Sequence, residues 1–144
     1  MGEVVVDVEL ENFSDRDAFE RGFIKEEEIR RLKTKALVDT GAVMSMLPQD
    51  MVEELGLKVI RKAIVTYANE EKEERDIVAL LHLRIGKRSM GTDCIVGPPR
   101  SEPLIGQVVL EVLDLIVDCN TKTLSPRPES PYLSMLKLKK ITAK

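Results

Sequence analysis

The chain has no tryptophan, one histidine, two cysteines, and only three phenylalanines and two tyrosines. So few aromatics leave no platform on which bases could stack. The formal net charge of −3 offers no basic field for a nucleic acid or an anionic membrane. Neither is expected as a partner. No apolar run is long enough to cross a bilayer. Met1-Gly2-Glu3 lacks the basic region and apolar core of a secretory signal, so the expected location is cytoplasmic. Cys94 and Cys119 are too few and too far apart for a disulfide framework or a zinc site. Both sit among apolar neighbours and are expected as buried thiols. Any histidine-based triad or metal site would rest on His82 alone, and its strand-like surroundings read as structural. No serine lies in a Gly-x-Ser-x-Gly setting, and Cys94 as a nucleophile would need His82 beside it. No metal and no cofactor is expected.

What is present is a balanced globular chain of 144 residues, 43% hydrophobic and 33% charged, enough for one domain but not for two lobes. Val4, Val6, Val8 and Leu10 alternate with Asp7 and Glu9 in the period of a half-buried strand. Asn12 to Arg31 is polar, with room for a short helix capped by Ser14 or Asp15. Thr34 to Val38 and Val43 to Leu47 read as strands, the second closed by Pro48. Residues 48–56 read as a short helix with proline in its first turn and Gly56 at its stop. Val59 to Tyr67 and Asp76 to Ile85 form a hairpin around the charged stretch Ala68 to Glu74, with Asn69 expected to take the left-handed conformation at the tip. A second hairpin turns at Gly86-Lys87 and continues through Cys94 and Val96. Leu104-Ile105 is a short strand, Gln107 to Leu113 a brief amphipathic helix, and Leu115 to Asp118 pairs with Thr123-Leu124.

Many short strands separated by frequent turns predict an all-β fold, a closed or half-closed barrel with one or two short helices, one lobe per chain. The expected domain covers residues 1–125, with an N-terminal extension over about 1–33. Residues 126–144 form a proline- and lysine-containing tail, expected to be disordered in part or to pack on a partner.

The residue with the clearest chemistry is Asp39. It ends an apolar run, Ala36-Leu37-Val38, and is followed by Thr40-Gly41-Ala42. A tripeptide of this kind also occurs in ordinary strand-to-turn junctions. Here the preceding strand and the following Ser45-Met46-Leu47-Pro48 add context. Two carboxylates held within hydrogen-bonding distance cannot both ionise, so they share a proton. The ionised one activates water; the protonated one polarises a carbonyl and helps protonate a leaving amine. The pair titrates as a unit. Gly41, lacking a Cβ, lets backbone approach the carboxylate, and Thr40 offers a hydroxyl that could reach a partner loop.

The stretch from Ala36 to Ala42, with Ser45-Met46-Leu47-Pro48 and Pro103-Leu104-Ile105-Gly106, resembles the retropepsin-like aspartic proteases, the small prokaryotic members more than the viral ones. The match spans roughly Thr34 to Asn120. The resemblance implies Asp39 as catalytic residue, supported by Thr40, Gly41 and Ala42. It implies a flap where Tyr67, Ala68, Asn69 and Glu70 lie, and a brace behind the active-site loop at Leu104, Ile105 and Gly106. Both segments are expected to contact a peptide or protein substrate. Because only one such aspartate exists, it also implies a homodimer. The chain departs from the viral pattern in having Val43 and Met44 after Ala42, and in having no glycine from Val59 to Leu83. The second reading is a weakly active or non-catalytic dimeric module that binds peptide or dimerises on the same fold.

Overall fold

The computed structural model describes residues 3–138. Nine strands and three short α-helices follow one another: β1 (Val5–Asn12), α1 (Phe13–Glu20), β2 (Arg31–Val38), β3 (Met46–Pro48), α2 (Gln49–Leu55), β4 (Lys58–Thr66), β5 (Lys72–Ile85), β6 (Arg88–Gly97), β7 (Leu104–Ile105), α3 (Gln107–Leu113), β8 (Leu115–Asp118) and β9 (Thr123–Pro126). Seven strands form one sheet in the order β1-β2-β7-β3-β6-β5-β4. Pairing of β1 with β5 closes the first six into a barrel and leaves β4 outside as an extension of β5. The fold is all-β. It carries three helices where one or two were expected.

Closure depends on the alternation in β1. Val8 and Leu10 point inward at 2% and 1% exposure, while Asp7 and Glu9 face solvent. The outer face is a charge ladder: Glu9 lies opposite Lys33 of β2 and Arg84 of β5, and Glu11 opposite Arg31 and His82. Strand β1, which lies within the segment expected as an extension, therefore shuts the barrel. His82 stands on that outer face, its ring 6.4 Å from the Phe13 ring.

One register irregularity shapes the core. Between Val78 and Leu81, β5 carries one more residue than β6, and Leu80 takes a left-handed φ of 61° and points out. This bulge brings Val78 and Leu81, three positions apart, into the same core. Ala36, Leu47, Cys94, Ile105 and Leu113 pack with them.

Several local expectations are corrected. The cap of α1 is Asn12, not Ser14 or Asp15: its side-chain oxygen accepts the Asp15 N–H at 3.0 Å and its amide donates to the Leu55 carbonyl at 2.8 Å. Asp15 instead binds Arg30. The strand expected from Val43 begins only at Met46, because the Ala42 and Val43 carbonyls accept hydrogen bonds from the start of α3. In the β4–β5 hairpin the ladder runs up to Thr66 opposite Lys72, so Lys72 to Glu74 are strand, not turn. Glu70, not Asn69, adopts the left-handed conformation there. Cys94 is buried, but Cys119 is exposed in the β8–β9 turn.

The segment after β9 folds back onto its own chain. Buried Arg88 donates to the Leu113, Asp114 and Ser130 carbonyls. The Asp114 carboxylate accepts from Ser130, Arg127 and the Met135 N–H. This cluster orders the segment as far as Met135, while Tyr132, Leu133, Met135 and Leu136 stay exposed. Of the tail lysines, Lys139, Lys140 and Lys144 lie outside the described residues. Among the described residues no helix is long and apolar enough to cross a membrane.

Candidate active site

Asp39 stands where β2 ends. Just before it, Leu37 and Val38 run parallel to Leu104 and Ile105 of β7. The crossing strand takes hold of the backbone on both sides of this turn: Leu37 N–H donates to the Pro103 carbonyl and Asp39 N–H to the Ile105 carbonyl, each at 2.9 Å. The Asp39 side chain then turns back onto its own loop, where Oδ1 accepts the Gly41 N–H at 3.0 Å. The Ala42 N–H donates to the Asp39 carbonyl at 3.1 Å and closes the turn. One carboxylate oxygen is thus tied to the backbone, and among the described residues the second accepts no hydrogen bond.

The loop that follows is braced from behind. Gly106 passes so close to it that a Cβ would lie 2.6 Å from the Met44 carbonyl carbon and oxygen, and 2.9 Å from the Val43 oxygen. Only glycine fits such an approach. The Gly106 N–H donates to Ser45 Oγ at 3.0 Å. Helix α3 starts immediately afterwards, and its first two N–H groups, from Gln107 and Val108, donate to the Ala42 and Val43 carbonyls at 2.7 and 3.1 Å. Donors that every helix start leaves unpaired are used here to fix the loop.

These bonds bring Asp39, Thr40, Gly41 and Ala42 together with Leu104, Ile105 and Gly106. Ile105 is 2% exposed and Gly106 is buried, so both support the loop from the core side. Asp39 is half-buried, Thr40 and Gly41 are exposed, and Val43 (69% exposed) with Val108 (37%) forms an apolar rim beside them.

A family model for aspartyl protease matches residues 28–109, over half of the chain. The chain belongs to the aspartyl protease family. The match takes in β2 and Asp39, the β4–β5 hairpin and the crossing at Leu104-Ile105-Gly106, and it agrees with the retropepsin-like kind. No curated protein matches the chain.

In this member of the aspartyl protease family the hairpin tip bearing Tyr67, Ala68, Asn69 and Glu70 is built apart from the Asp39 loop; among the described residues no hydrogen bond joins the two. Tyr67 is half-buried, and the next three residues are exposed. Tyr67 Oη donates to Glu73 at 2.7 Å, and Arg75 binds both groups. The Glu73 carboxyl lies below the usual carboxylate range because it accepts from Tyr67 and, next, from Arg75. Among the described residues no three His, Cys, Asp or Glu side chains converge where a metal ion could be held.

Ser45 is the site residue that inspection of the sequence did not single out. It is 4% exposed, and among the described residues its hydroxyl is the only side-chain acceptor bridging the two halves of the site. Its signal was the fixed distance from Asp39 in Ala-x-x-Ser-x-Leu-Pro, which places a small hydroxyl between the loop and the strand that leads inward.

Proposed function

We propose that the chain is an aspartic endopeptidase that works as a homodimer. A two-fold axis passing by the Asp39 loops would set the two carboxylates against each other through an isologous contact. Sharing one proton, the pair would activate a water and polarise the scissile carbonyl. The substrate would lie extended, adding a strand between the hairpin tip and the floor near Ala42 and Leu104. Tyr67, Ala68, Asn69 and Glu70 would cover it.

The observation that carries this reading is the state of Asp39. Its carboxylate is oriented by the Gly41 N–H, and its backbone by Ile105. It stands half-buried beside an apolar rim open to solvent. An acid tied to its loop through one oxygen, with no hydrogen bond on the other among the described residues, suits pairing with a second carboxyl, and family membership supports peptide hydrolysis as the purpose.

The experiment is cleavage of a peptide library from acidic to neutral pH by the wild-type chain and by Asp39→Asn, together with sedimentation. Cleavage by the wild type alone, with specific activity rising as monomers associate, is the expected result. Cleavage that survives the substitution would remove Asp39 from the mechanism.

The second reading, a dimeric peptide-binding or dimerisation module, draws on the hairpin. It has no glycine from Val59 to Leu83, and a stiff cover suits retention more than turnover. Peptides that bind the dimer and are never cut would favour it.

A further inference from the structure

A hairpin that must cover a peptide without glycine needs another way to shape its tip. Here Glu70 N–H donates to the Tyr67 carbonyl at 2.9 Å, and Tyr67 N–H to the Glu71 carbonyl at 2.8 Å. Glu70 has a φ of 69°. This is the pattern of a short hairpin loop ending in a left-handed bulge residue. Asn69 Oδ1 accepts the Glu71 N–H at 3.0 Å and so fixes the turn from inside.

The side chains continue the same task. In the ladder Glu73 lies opposite Val65, and Arg75 opposite Ala63. Tyr67, Val65 and Ala63 alternate along one strand, so Tyr67 shares a face with Glu73 and Arg75. Tyr67 Oη donates to Glu73 Oε2 at 2.7 Å and accepts from Arg75 Nε at 3.3 Å. Arg75 Nε also donates to Glu73 Oε2 at 2.9 Å, and its Nη2 lies 2.6 Å from the same oxygen. The Arg75 side chain is 22% exposed. The phenol is engaged as donor and as acceptor, so the ring is the part of Tyr67 left to meet a ligand.

We propose that Glu73 and Arg75 are positioning residues, a clasp that holds Tyr67 so that its ring, not its hydroxyl, contacts an apolar side chain of an extended peptide. The proposal rests on the hairpin covering the Asp39 site. The clasp takes over the role of tip glycines: order comes from side chains anchored two and four positions into the opposite strand.

The test uses the full-length chain with Tyr67→Phe, Arg75→Met and the double variant. Amide hydrogen exchange at Tyr67 and Glu70 is read without peptide, and steady-state kinetics on the peptide best cleaved from a random library. Tyr67→Phe keeps the ring and removes the clasp's centre. Exchange at both amides should quicken and KM should rise about fivefold, the scale of one ordinary intramolecular hydrogen bond, with the loss falling on KM rather than kcat. Arg75→Met should do the same, and the double variant no more than either single one, because both changes undo one unit. Additive effects, or an unchanged exchange rate in Tyr67→Phe, would overturn the proposal. Exchange judges the clasp even if no peptide is cut, whereas a wild-type chain that cuts nothing counts against the protease reading itself.

Discussion

Ser45 Oγ accepts the backbone N–H of Gly106 at 3.0 Å, a bond between residues 61 positions apart that ties the Asp39 loop to the strand crossing behind it. Both partners are buried. The two ends of this contact have different tolerances.

Ser45→Ala would leave a buried N–H without an acceptor, at a cost of about 1–3 kcal/mol. For a domain of this size each kcal/mol lowers Tm by roughly 2–4 °C. Gly106→Ala should be worse, because the added methyl meets backbone at 2.6 Å and not a movable side chain. Thermal denaturation of the two variants checks this. A Gly106→Ala chain as stable as the wild type would mean that the loop and the crossing strand are not in contact.

Closure of the barrel hangs on β1. Leu10 is 1% exposed, and its strand bonds to β2 on one side and β5 on the other. Leu10→Ala should cost about 2–5 kcal/mol. Glu9→Ala, on the solvent face of the same strand, should cost under about 1 kcal/mol, since its nearest cation, Lys33, is 4.0 Å away and exposed. Chemical denaturation distinguishes a strand built into the barrel from a loose extension, for which both substitutions would be mild.

Asp114 links acid stability to the returning C-terminal segment. Its carboxyl is lowered from the ordinary 3.8 to about 2 by hydrogen bonds from Ser130, then Arg127, then the Met135 N–H. The ionised form is the one the fold favours. Its contribution is complete above the unfolded value and is lost as pH falls from there through about 2. The stability gap between wild type and Asp114→Asn should therefore be largest above pH 3.8 and shrink towards pH 2. Urea titrations at stepped pH measure it, and a gap independent of pH would show that the carboxylate charge plays no part.

The two cysteines should differ in reactivity. Cys94, on β6 opposite Val78 of β5, is fully buried in the core, and desolvation, with the nearby Asp93 charge, pushes its thiol up to about 12. Cys119 is exposed. One thiol per chain should react with an aromatic disulfide reagent in the native state, and the second only after denaturation. Equal rates for both would contradict the packing of Cys94.

The sequence by itself determined the strands with clean alternation, such as Val4 to Leu10, and the acid at the end of an apolar run. These features are local: a periodicity of two acts within a few residues. The tertiary structure decided that residues before Arg31 close the barrel, that Ser45 joins the Asp39 loop to Gly106, that Asn12 rather than its neighbours caps α1, and that the chain after Pro126 returns to Asp114. Each of these satisfies a donor or a hydrogen-bonding edge with a partner distant in sequence or with one of several local candidates. Composition and spacing say that such a group must be satisfied, but only the folded arrangement selects by what.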